Sequence, residues 1–307
     1  MIKISFRILI IMISYLVCSQ NLPKVSSGTI ERLENFKSKF VSSRNIDVWL
    51  PKNYSTTKKY SVLYMHDGQM LYDSETTWNK QSWEVDEVVS KLLNENKIKN
   101  VIVVGIWNGE KTRHNDYFPQ KPFESLTKNL QDSLYNSKRP NGEMVFSEKI
   151  NSDNYLKFIV EELKPIIDNK YSVYKDKKHT FIAGSSMGGL ISIYAICEYP
   201  KVFGGAACLS IHWPGVFSIS NNPVPNTFYN YLKNKLPNFK NHKIYFDYGT
   251  ETLDAYYEPF QLKVDEIMKN KGFKTSNWLT KKFIGDDHSE KSWSKRLHYP
   301  IEFLLSN

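Results

Sequence analysis

The fold is set by ten residues, Thr180-Phe-Ile-Ala-Gly-Ser-Ser-Met-Gly-Gly189. The apolar residues 180–183 predict a β-strand. Directly after the turn, Leu190, Ile191 and Tyr194 fall at the spacing of one helical face. The sequence therefore predicts a strand, a sharp turn and a helix, with a serine at the apex of the turn.

The turn itself, Gly184-Ser-Ser-Met-Gly188, fits the pattern G-x-S-x-G. This pattern between a strand and a helix is typical of the nucleophile elbow of serine hydrolases with the α/β-hydrolase fold. In this register Ser186 is the nucleophile and Ser185 is not. We expect glycine at both flanking positions because only glycine tolerates the crowding and unusual dihedral angles of such a turn. The alternative is a glycine-rich turn whose serines have no chemical role, so the interpretation depends on partners elsewhere.

The composition favours a folded domain. Of the 307 residues, 41% are hydrophobic and 14% aromatic, which is enough for a substantial core. The net charge of +9 mildly favours anionic ligands. The charges are dispersed, however, and we find neither an arginine-rich helix nor zinc-finger spacing, so no nucleic-acid partner is expected. Residues 20–307 show no repeat or linker and are predicted to form a single catalytic domain.

The first residues predict a signal peptide. Lys3 and Arg7 precede an apolar run over residues 8–17, which is short for a membrane span but suits a signal-peptide core. Small residues before position 20 predict cleavage after Ser19, which makes residues 1–19 the leader. We therefore predict export to the periplasm or the exterior, without stable membrane insertion after cleavage. Lipid attachment at Cys18 is disfavoured because Val17 is large for that signal.

Two cysteines remain after cleavage. Cys197 falls in the helix after the elbow, and Cys208 falls in an apolar stretch. Both are expected to be small buried apolar residues. A disulfide between them is the alternative in an exported protein.

Strands alternate with helices along the rest of the chain, which predicts a mostly parallel sheet covered by helices on both faces. Two long stretches, residues 107–150 and 211–226, read as irregular and are expected to form a lid or pocket wall. The predicted strands are 28–33 and 44–50 as a leading antiparallel hairpin, then 60–65, 101–106, 180–183, 203–209, 243–248 and 278–283. The predicted helices are 85–93, 155–166 with a kink or stop near Pro165, 190–196, 260–268 and a last one around 293–297.

A serine needs a base to take its proton, and the base needs a carboxylate to orient it. In this fold the chain order is serine, acid, histidine. His288 follows the last predicted strand and precedes the last helix, which is the expected place for the base. His242 precedes a strand and His298 falls within a helix, whereas His212 follows the strand after the elbow and suits a pocket wall.

The acid is expected in the turn after the strand 243–248. Both Asp254 and Glu251 lie there. Asp254 is favoured, although it is also placed to cap the next helix, and Glu251 is alternatively a solvated loop residue. Asp286 and Asp287 are disfavoured as the acid because side chains adjacent to the histidine point away from it.

Two backbone N–H groups are needed to bind the oxyanion of the tetrahedral intermediate. One is expected from Met187, the residue after the nucleophile. The other is expected from Gln69, in the loop that follows the strand 60–65. The alternative for that loop is an ordinary Asp-Gly turn.

Taken together, four motifs and one tryptophan carry a family resemblance. The chain resembles the esterase D-like family of α/β-hydrolases, which includes feruloyl and acetyl-xylan esterases, enterochelin esterases, S-formylglutathione hydrolases and antigen 85 mycolyltransferases. The matching segments are residues 44–51, residues 63–73 as the oxyanion loop, residues 184–189 as the elbow, and residues 285–288 with Trp293 around the base.

The resemblance implies Ser186 as nucleophile, His288 as base, and Met187 and Gln69 as oxyanion donors. It also implies an acid in the turn over residues 249–254. The family often has its acid about three residues after the glycine of this turn, where this chain has threonine. This departure leaves Asp254 and Glu251 both open.

We therefore predict an exported serine carboxylesterase that forms an acyl-enzyme and needs no metal or cofactor. The expected substrates are acetyl or feruloyl esters on polysaccharide, or related small-molecule esters. Trp213, Trp107 and Tyr117 are predicted to contact the substrate, as is Trp78, because aromatic rings stack on sugars and on aromatic acyl groups. The alternative is that these rings only pack the irregular loops.

Three other functions stay open. A siderophore triester esterase suits the positive net charge, with residues 113–116 as a candidate anion contact, although a solvated loop is favoured for that segment. An acyltransferase would use the same machinery but exclude water or bind an acceptor sugar. A non-catalytic carbohydrate-binding relative would have lost the triad, and the presence of Ser186 and His288 argues against it.

Overall fold

The computed structural model describes residues 22–306. The predicted leader, its cleavage site and Cys18 lie outside this range. Within it, no helix is both long enough and apolar enough to cross a bilayer.

An eight-stranded sheet runs through the described part of the chain, in the order β1-β2-β4-β3-β5-β6-β7-β8. β1 and β2 form an antiparallel hairpin, β2 is antiparallel to β4, and the remaining neighbours are parallel. This is the predicted, mostly parallel α/β sheet. The strands are β1 Thr29–Phe36, β2 Arg44–Leu50, β3 Ser61–His66, β4 Val101–Ile106, β5 Thr180–Ser185, β6 Gly205–Leu209, β7 Lys243–Tyr248 and β8 Trp278–Lys282.

The central strands are buried on both faces. Every residue of β3, β4 and β5 is buried, as expected for parallel strands with near-continuous apolar sequence. Their carboxyl ends are level, because Met65 of β3 is in register with Gly105 of β4 and with Ala183 of β5. The segments that follow these three strands therefore meet at one edge of the sheet.

Helices cover both faces. The helices are α1 Val85–Asn94, α2 Arg113–Tyr117, α3 Gln120–Glu124, α4 Lys128–Tyr135, α5 Ser152–Lys157, α6 Lys164–Lys170, α7 Met187–Glu198, α8 Val224–Lys235, α9 Glu258–Asn270, α10 Glu290–Arg296 and α11 His298–Leu305. Residues of α1, α10 and α11 share one apolar cluster with one face of the sheet. Residues of α5 to α9 share a second cluster with the other face.

A π-helical segment joins α5 to α6. It spans Phe158–Leu163, so the helix continues through Pro165 and ends at Lys170 rather than stopping near the proline. Pro165 has no N–H to donate to the preceding turn, and the π-helical segment that ends at Leu163 accommodates this gap within the continuous helix. The predicted irregularity is therefore real but lies one turn earlier.

The prediction of irregular structure over residues 107–150 is partly wrong. This stretch contains α2, α3 and α4, and α8 begins inside the other stretch, at Val224. α2 and α3 have five residues each, too few to show a helical period. Burial stabilises α2 instead, because four of its five residues are buried.

Cys197 and Cys208 are both buried free thiols, as expected, and the alternative disulfide is not formed. Burial raises the pKa of the Cys208 thiol well above its usual range. Neither thiol is therefore a ready nucleophile.

Candidate active site

The elbow places Ser186 at a strained apex. Ser186 has φ 56° and ψ −121° and directly precedes α7. Its N–H donates to the Leu209 carbonyl of β6 at 2.9 Å, which fixes the turn against the sheet. A non-glycine residue in such a conformation costs about 1–3 kcal/mol, which the surrounding structure must offset.

The glycines that flank Ser186 are explained by steric crowding and not by unusual dihedral angles. The positive φ belongs to Ser186, not to Gly184 or Gly188, so that part of the expectation is wrong. A Cβ on Gly184 would lie 2.8 Å from the backbone of Gly188, whereas a Cβ on Gly188 would meet nothing closer than 3.4 Å. Only the first glycine is sterically required. Ser185 is the buried last residue of β5.

His288 lies beside Asp254. The two side chains meet at 2.5 Å between Nδ1 and Oδ1, and the His288 side chain is 14% exposed. Edge-on contacts with Tyr257 and Trp293, at ring-centroid distances of 5.7 and 5.0 Å, hold the imidazole from both sides. The His288 backbone N–H donates to the Thr252 hydroxyl at 2.9 Å. Both the ring and the backbone of His288 are thus fixed.

The Asp254 carboxylate is buried and fully engaged. Its second oxygen, Oδ2, accepts from the Gly249 N–H at 2.6 Å and from the Ser210 hydroxyl at 2.5 Å. Burial by itself raises the pKa of Asp254, but the hydrogen bonds and charge of His288 outweigh it and hold this pKa below the usual value. Because α9 begins at Glu258, Asp254 does not cap that helix.

Glu251 is exposed and is not the carboxylate that meets His288. Thr252 occupies the position at which the resemblance implied an acid, and it offers a hydroxyl to the His288 backbone instead. The turn is joined to the histidine loop, because the N–H groups of Thr250 and Glu251 both donate to the Asp286 carbonyl at 3.0 Å. Glycine is required at 249, where a Cβ would lie 2.1 Å from that carbonyl oxygen.

A buried arginine, Arg296, contacts the residues around the Asp254–His288 pair, and it was not predicted from the sequence. Arg296 Nη2 donates to the Ser210 hydroxyl at 2.7 Å and lies 3.1 Å from Asp247, while its Nη1 bonds to Asp286 at 3.0 Å. Trp293 Nε1 also donates to Ser210, at 3.0 Å. Burial raises the pKa of Asp247 to about 6, although Arg296 opposes the shift. The sequence carries no signal for this role, because α10 is polar apart from Trp293 and Arg296 looks like an ordinary surface residue there.

The predicted oxyanion donors lie at the same edge. Met187 is the first residue of α7, so its N–H has no partner within the helix. Gln69 lies in the short 3₁₀ turn Gly68–Met70, and its side chain accepts from the Asn108 N–H at 3.1 Å. Gly68 is required because a Cβ there would lie 2.6 Å from the Gly105 backbone of β4.

Asp67 and Arg113 form a bidentate ion pair beside this turn. Arg113 Nε and Nη2 lie 2.7 and 2.8 Å from the two oxygens, and Asn108 Nδ2 donates to Oδ1 at 2.6 Å. Burial raises the pKa of Asp67, but Arg113 outweighs it and keeps this pKa low. Arg113 is therefore committed to an internal carboxylate and is poorly placed as the anion contact considered above.

His212 is buried beside Tyr257 and does not line the cleft. Its Nε2 lies 3.2 Å from the Val216 carbonyl, which can only accept, so Nδ1 accepts from the Tyr257 hydroxyl at 2.7 Å. Burial, reinforced by His288, lowers the pKa of His212 to about 3. The pocket-wall role considered for His212 does not match this position.

A cleft of about 1090 Å³ runs along the edge and contains both Ser186 and His288. Its charged lining consists of two arginines, each paired with a carboxylate, and of four carboxylates, so acidic groups are in excess. The charged lining residues are Arg32, Arg113, Asp47, Asp67, Glu110 and Glu290.

Of the aromatic residues predicted to contact substrate, Trp107 and Trp78 line the cleft. Trp107 is fixed: its Nε1 donates to Asp47 at 2.8 Å, and the Arg32 guanidinium lies 4.8 Å above its ring. Trp78 is 85% exposed.

Trp213 and Tyr117 are core residues instead. Trp213 is 1% exposed and donates to Gln261 at 3.0 Å, and Tyr117 is fully buried with its hydroxyl accepting from the Asp67 N–H at 3.3 Å. Neither lines the cleft, so their positions contradict the predicted substrate contact. Both belong to stretches that read as exposed loops but fold back onto the sheet. Among residues 22–306, no group of three or more histidine, cysteine or acidic residues is arranged to hold a metal ion.

Residues 38–298 match the model of the family described as "Putative esterase". Since this match covers most of the sequence, the chain belongs to that esterase family. The fold agrees, because solved esterase structures superpose on nearly the whole chain.

The chain is similar to three proteins that are named as feruloyl, ferulic acid or enterobactin esterases. A bifunctional endo-1,4-beta-xylanase/feruloyl esterase of Xylanibacter ruminicola is 25% identical over 61% of this chain and 22% of its own length. The ferulic acid esterase AmCE1/Fae1A of Anaeromyces mucronatus, solved with ferulic acid, has a TM-score of 0.60 at 17% identity and covers 92% of this chain and 93% of its own. The enterobactin esterase FES of Shigella flexneri has a TM-score of 0.65 at 15% identity, over 92% of this chain and 60% of its own. The alignments with the first curated relatives span 60% or less of their lengths.

Proposed function

We propose that this protein is an exported serine carboxylesterase acting on neutral esters, with Ser186 as nucleophile, His288 as base and Asp254 as acid. The observation that carries the proposal is the shared cleft: the strained serine and a histidine bonded to a buried carboxylate at 2.5 Å open onto the same cavity. Export rests on the leader pattern over residues 1–19.

Acylation begins when His288 Nε2 takes the Ser186 proton as Oγ attacks the ester carbonyl. Asp254 keeps the imidazole proton on Nδ1, so that Nε2 is free to accept, and stabilises the imidazolium that forms. The negative charge on the carbonyl oxygen is stabilised by the N–H groups of Met187 and Gln69. The tetrahedral intermediate then expels the alcohol, which receives its proton from His288.

Deacylation repeats the sequence with water. His288 takes a proton from the water as its oxygen attacks the acyl-enzyme, and the second intermediate collapses to release the carboxylic acid. The proton on His288 returns to Ser186. Every proton is accounted for by these two side chains and the solvent.

The charges of the cleft favour a neutral substrate over an anionic one. Both lining arginines are paired with carboxylates, and four acidic side chains face the same cavity. An anionic catecholate siderophore would meet excess negative charge there, despite the basic character of the chain as a whole. Acetyl or feruloyl esters on polysaccharide are uncharged at neutral pH and meet no such electrostatic repulsion. Similarity to ferulic acid esterases is consistent with this choice, whereas similarity to an enterobactin esterase keeps the siderophore as a competitor.

The test is a turnover assay with a short-chain nitrophenyl ester on wild type, Ser186→Ala and Ser185→Ala. We expect the Ser186 variant to lose at least three orders of magnitude in kcat. The Ser185 variant is the matched control, because this buried serine precedes the apex, and it should keep most of the activity. Undiminished turnover by Ser186→Ala would refute the mechanism.

A product screen then identifies the substrate. Acetylated xylan, feruloylated arabinoxylan and a catecholate triester are offered at equal ester concentration. Release of acetate or ferulate without attack on the triester is expected. Preferred cleavage of the triester would favour the siderophore esterase, and transfer of the acyl group to a sugar instead of water would identify an acyltransferase.

A further inference from the structure

Trp78 is an unusually exposed tryptophan at the mouth of the cleft. It is 85% exposed and lines the cavity that holds Ser186 and His288. Its neighbour Thr77 is 4% exposed, so the backbone that presents the indole is anchored. An indole held in water at the rim of a binding cleft offers a large apolar face to a ligand.

The segment that carries Trp78 is attached to the histidine side of the cleft. The histidine loop leads directly into α10, and four contacts join the Trp78 segment to α10. These contacts are Asn79 Nδ2 to Glu290 Oε2 at 2.7 Å, Lys291 N to Gln81 Oε1 at 3.1 Å, Ser294 Oγ to Glu84 Oε2 at 3.2 Å, and Trp83 against Trp293 with ring centroids 5.3 Å apart. The Trp78 segment is therefore attached to α10, the helix that follows His288, whereas Trp107 follows β4 on the far side of the oxyanion turn.

This position matters because the two halves of an ester go to different sides of such a site. The base must protonate the leaving oxygen, so the alcohol half lies next to His288. The acyl half extends the other way, towards the turn of Gln69 and the ring of Trp107. Trp78 is thus placed against the alcohol half.

The polar groups around Trp78 suit a sugar. The cleft lining beside Trp78 in sequence, together with Ser289 before α10, consists largely of hydroxyl and amide side chains. Internal hydrogen bonds hold this border in place, such as Thr77 Oγ1 to the Ser74 carbonyl at 2.9 Å and Ser289 Oγ to Asp287 at 2.5 Å. The Gln81 NH₂ group and the second N–H of the Asn79 amide are left to donate to the hydroxyls of a sugar. An aromatic face bordered by such groups matches a neutral sugar ring, whose C–H face is apolar and whose rim is polar. The residues are Thr76, Thr77, Asn79, Gln81 and Ser289.

We infer that Trp78 and this polar border form the subsite for the alcohol half of the substrate, and that the occupant is a neutral sugar ring. The inference rests on the proposed esterase function and specifies which half of the ester determines the preference. Trp78 contacts the substrate without taking part in bond making or breaking.

The test compares two esters that share one acyl group: methyl ferulate and a feruloylated arabino-oligosaccharide, with an acetyl pair (methyl acetate and acetylated xylo-oligosaccharide) in parallel. Wild type, Trp78→Ala, Trp78→Phe and Tyr174→Ala are assayed. Tyr174 is the control, a 41% exposed aromatic residue that does not line the cleft. For Trp78→Ala we expect about a tenfold loss of kcat/KM on the sugar esters, mainly through KM, and less than a twofold change on the methyl esters. Trp78→Phe should recover part of the loss.

A binding measurement separates this inference from the proposed function. In the Ser186→Ala background, an unesterified xylo- or arabino-oligosaccharide should shift the tryptophan fluorescence, and the added substitution Trp78→Phe should abolish most of that shift. Equal effects of Trp78→Ala on methyl and sugar esters, or no effect on the sugar esters, would overturn the inference. Wild type that cleaves methyl esters but no sugar ester would overturn it and leave the esterase function intact, whereas wild type inactive on every ester would count against both.

Discussion

Replacing Asp254 by asparagine should nearly abolish turnover without disturbing the shape of the site. The reason lies in the second carboxylate oxygen, Oδ2. The Gly249 N–H can only donate, and the Ser210 hydroxyl already accepts from Arg296 and Trp293, so its own proton goes to Asp254. Two donors therefore hold an oxygen at this position.

An asparagine must then keep its single oxygen on the Oδ2 side and turn its NH₂ group towards His288. Nδ1 of His288 becomes an acceptor, and the imidazole proton moves to Nε2, where the Ser186 proton has to be taken up. The base is thus present in the wrong tautomer. Because Nε2 can then no longer accept the Ser186 proton, kcat is expected to fall by about 10³- to 10⁴-fold, which corresponds to about 4–5.5 kcal/mol of transition-state stabilisation.

The assay is nitrophenyl acetate turnover at neutral pH, with the free energy of unfolding measured in urea to show that the variant is folded. Glu251→Gln is the matched control, because it makes the same chemical change to an exposed carboxylate three residues earlier, and it should change kcat less than twofold. If Asp254→Asn kept more than a tenth of wild-type kcat, or if Glu251→Gln lost as much, the reasoning from Gly249 and Ser210 would be wrong.

Two further predictions concern stability. Gly184→Ala should lower the free energy of unfolding by about 1–3 kcal/mol, because its Cβ would lie 2.8 Å from the Gly188 backbone. Gly188→Ala is the control and should be close to neutral. Urea titrations that rank the two variants the other way would contradict the steric explanation. Burial lowers the pKa of His66 and of His212 to about 3. Between pH 6.5 and 3 the unfolded chain therefore binds more protons than the native protein does. The free energy of unfolding consequently decreases as the pH falls through this window. At pH 4.5 each histidine should cost about 2.7 kcal/mol relative to pH 7.5, and equal urea midpoints at the two pH values would argue against buried neutral histidines.

The sheet was largely predictable because parallel strands buried on both faces leave continuous apolar runs. The bounds of β4 and β7 agree with prediction, as does the antiparallel hairpin of β1 and β2. The short helices α2 and α3 were missed, because five residues do not complete two turns and their stability comes from burial rather than pattern. Local sequence cannot report contacts made at a distance.

The same limit applies to the site. The elbow and His288 were predictable because a strand, a turn and a helix mark their positions along the chain. The sequence favours Asp254 over Glu251 without determining the choice, because both lie in one turn, and only the folded structure shows that Asp254 is buried against His288 whereas Glu251 is exposed. The catalytic roles of Ser186, His288 and Asp254, like those of the other predicted residues, stay predictions until variants are measured. Arg296 was invisible for another reason: its partners come from the ends of different strands and are close only in the folded chain.

The Asp286 carbonyl, which receives two N–H groups from the turn before Asp254, has a consequence for how the specificity of this protein can be changed. It joins the acid turn to the histidine loop through backbone atoms, so the spacing of Asp254 and His288 does not depend on any side chain of the outer cleft wall. Changes at lining residues outside the two loops, such as Trp78 and Trp107, are expected to alter which ester enters while Asp254 and His288 keep their spacing. For protein engineering, those rim positions are accordingly the place to change specificity, and the two joined loops are best transferred together or left alone.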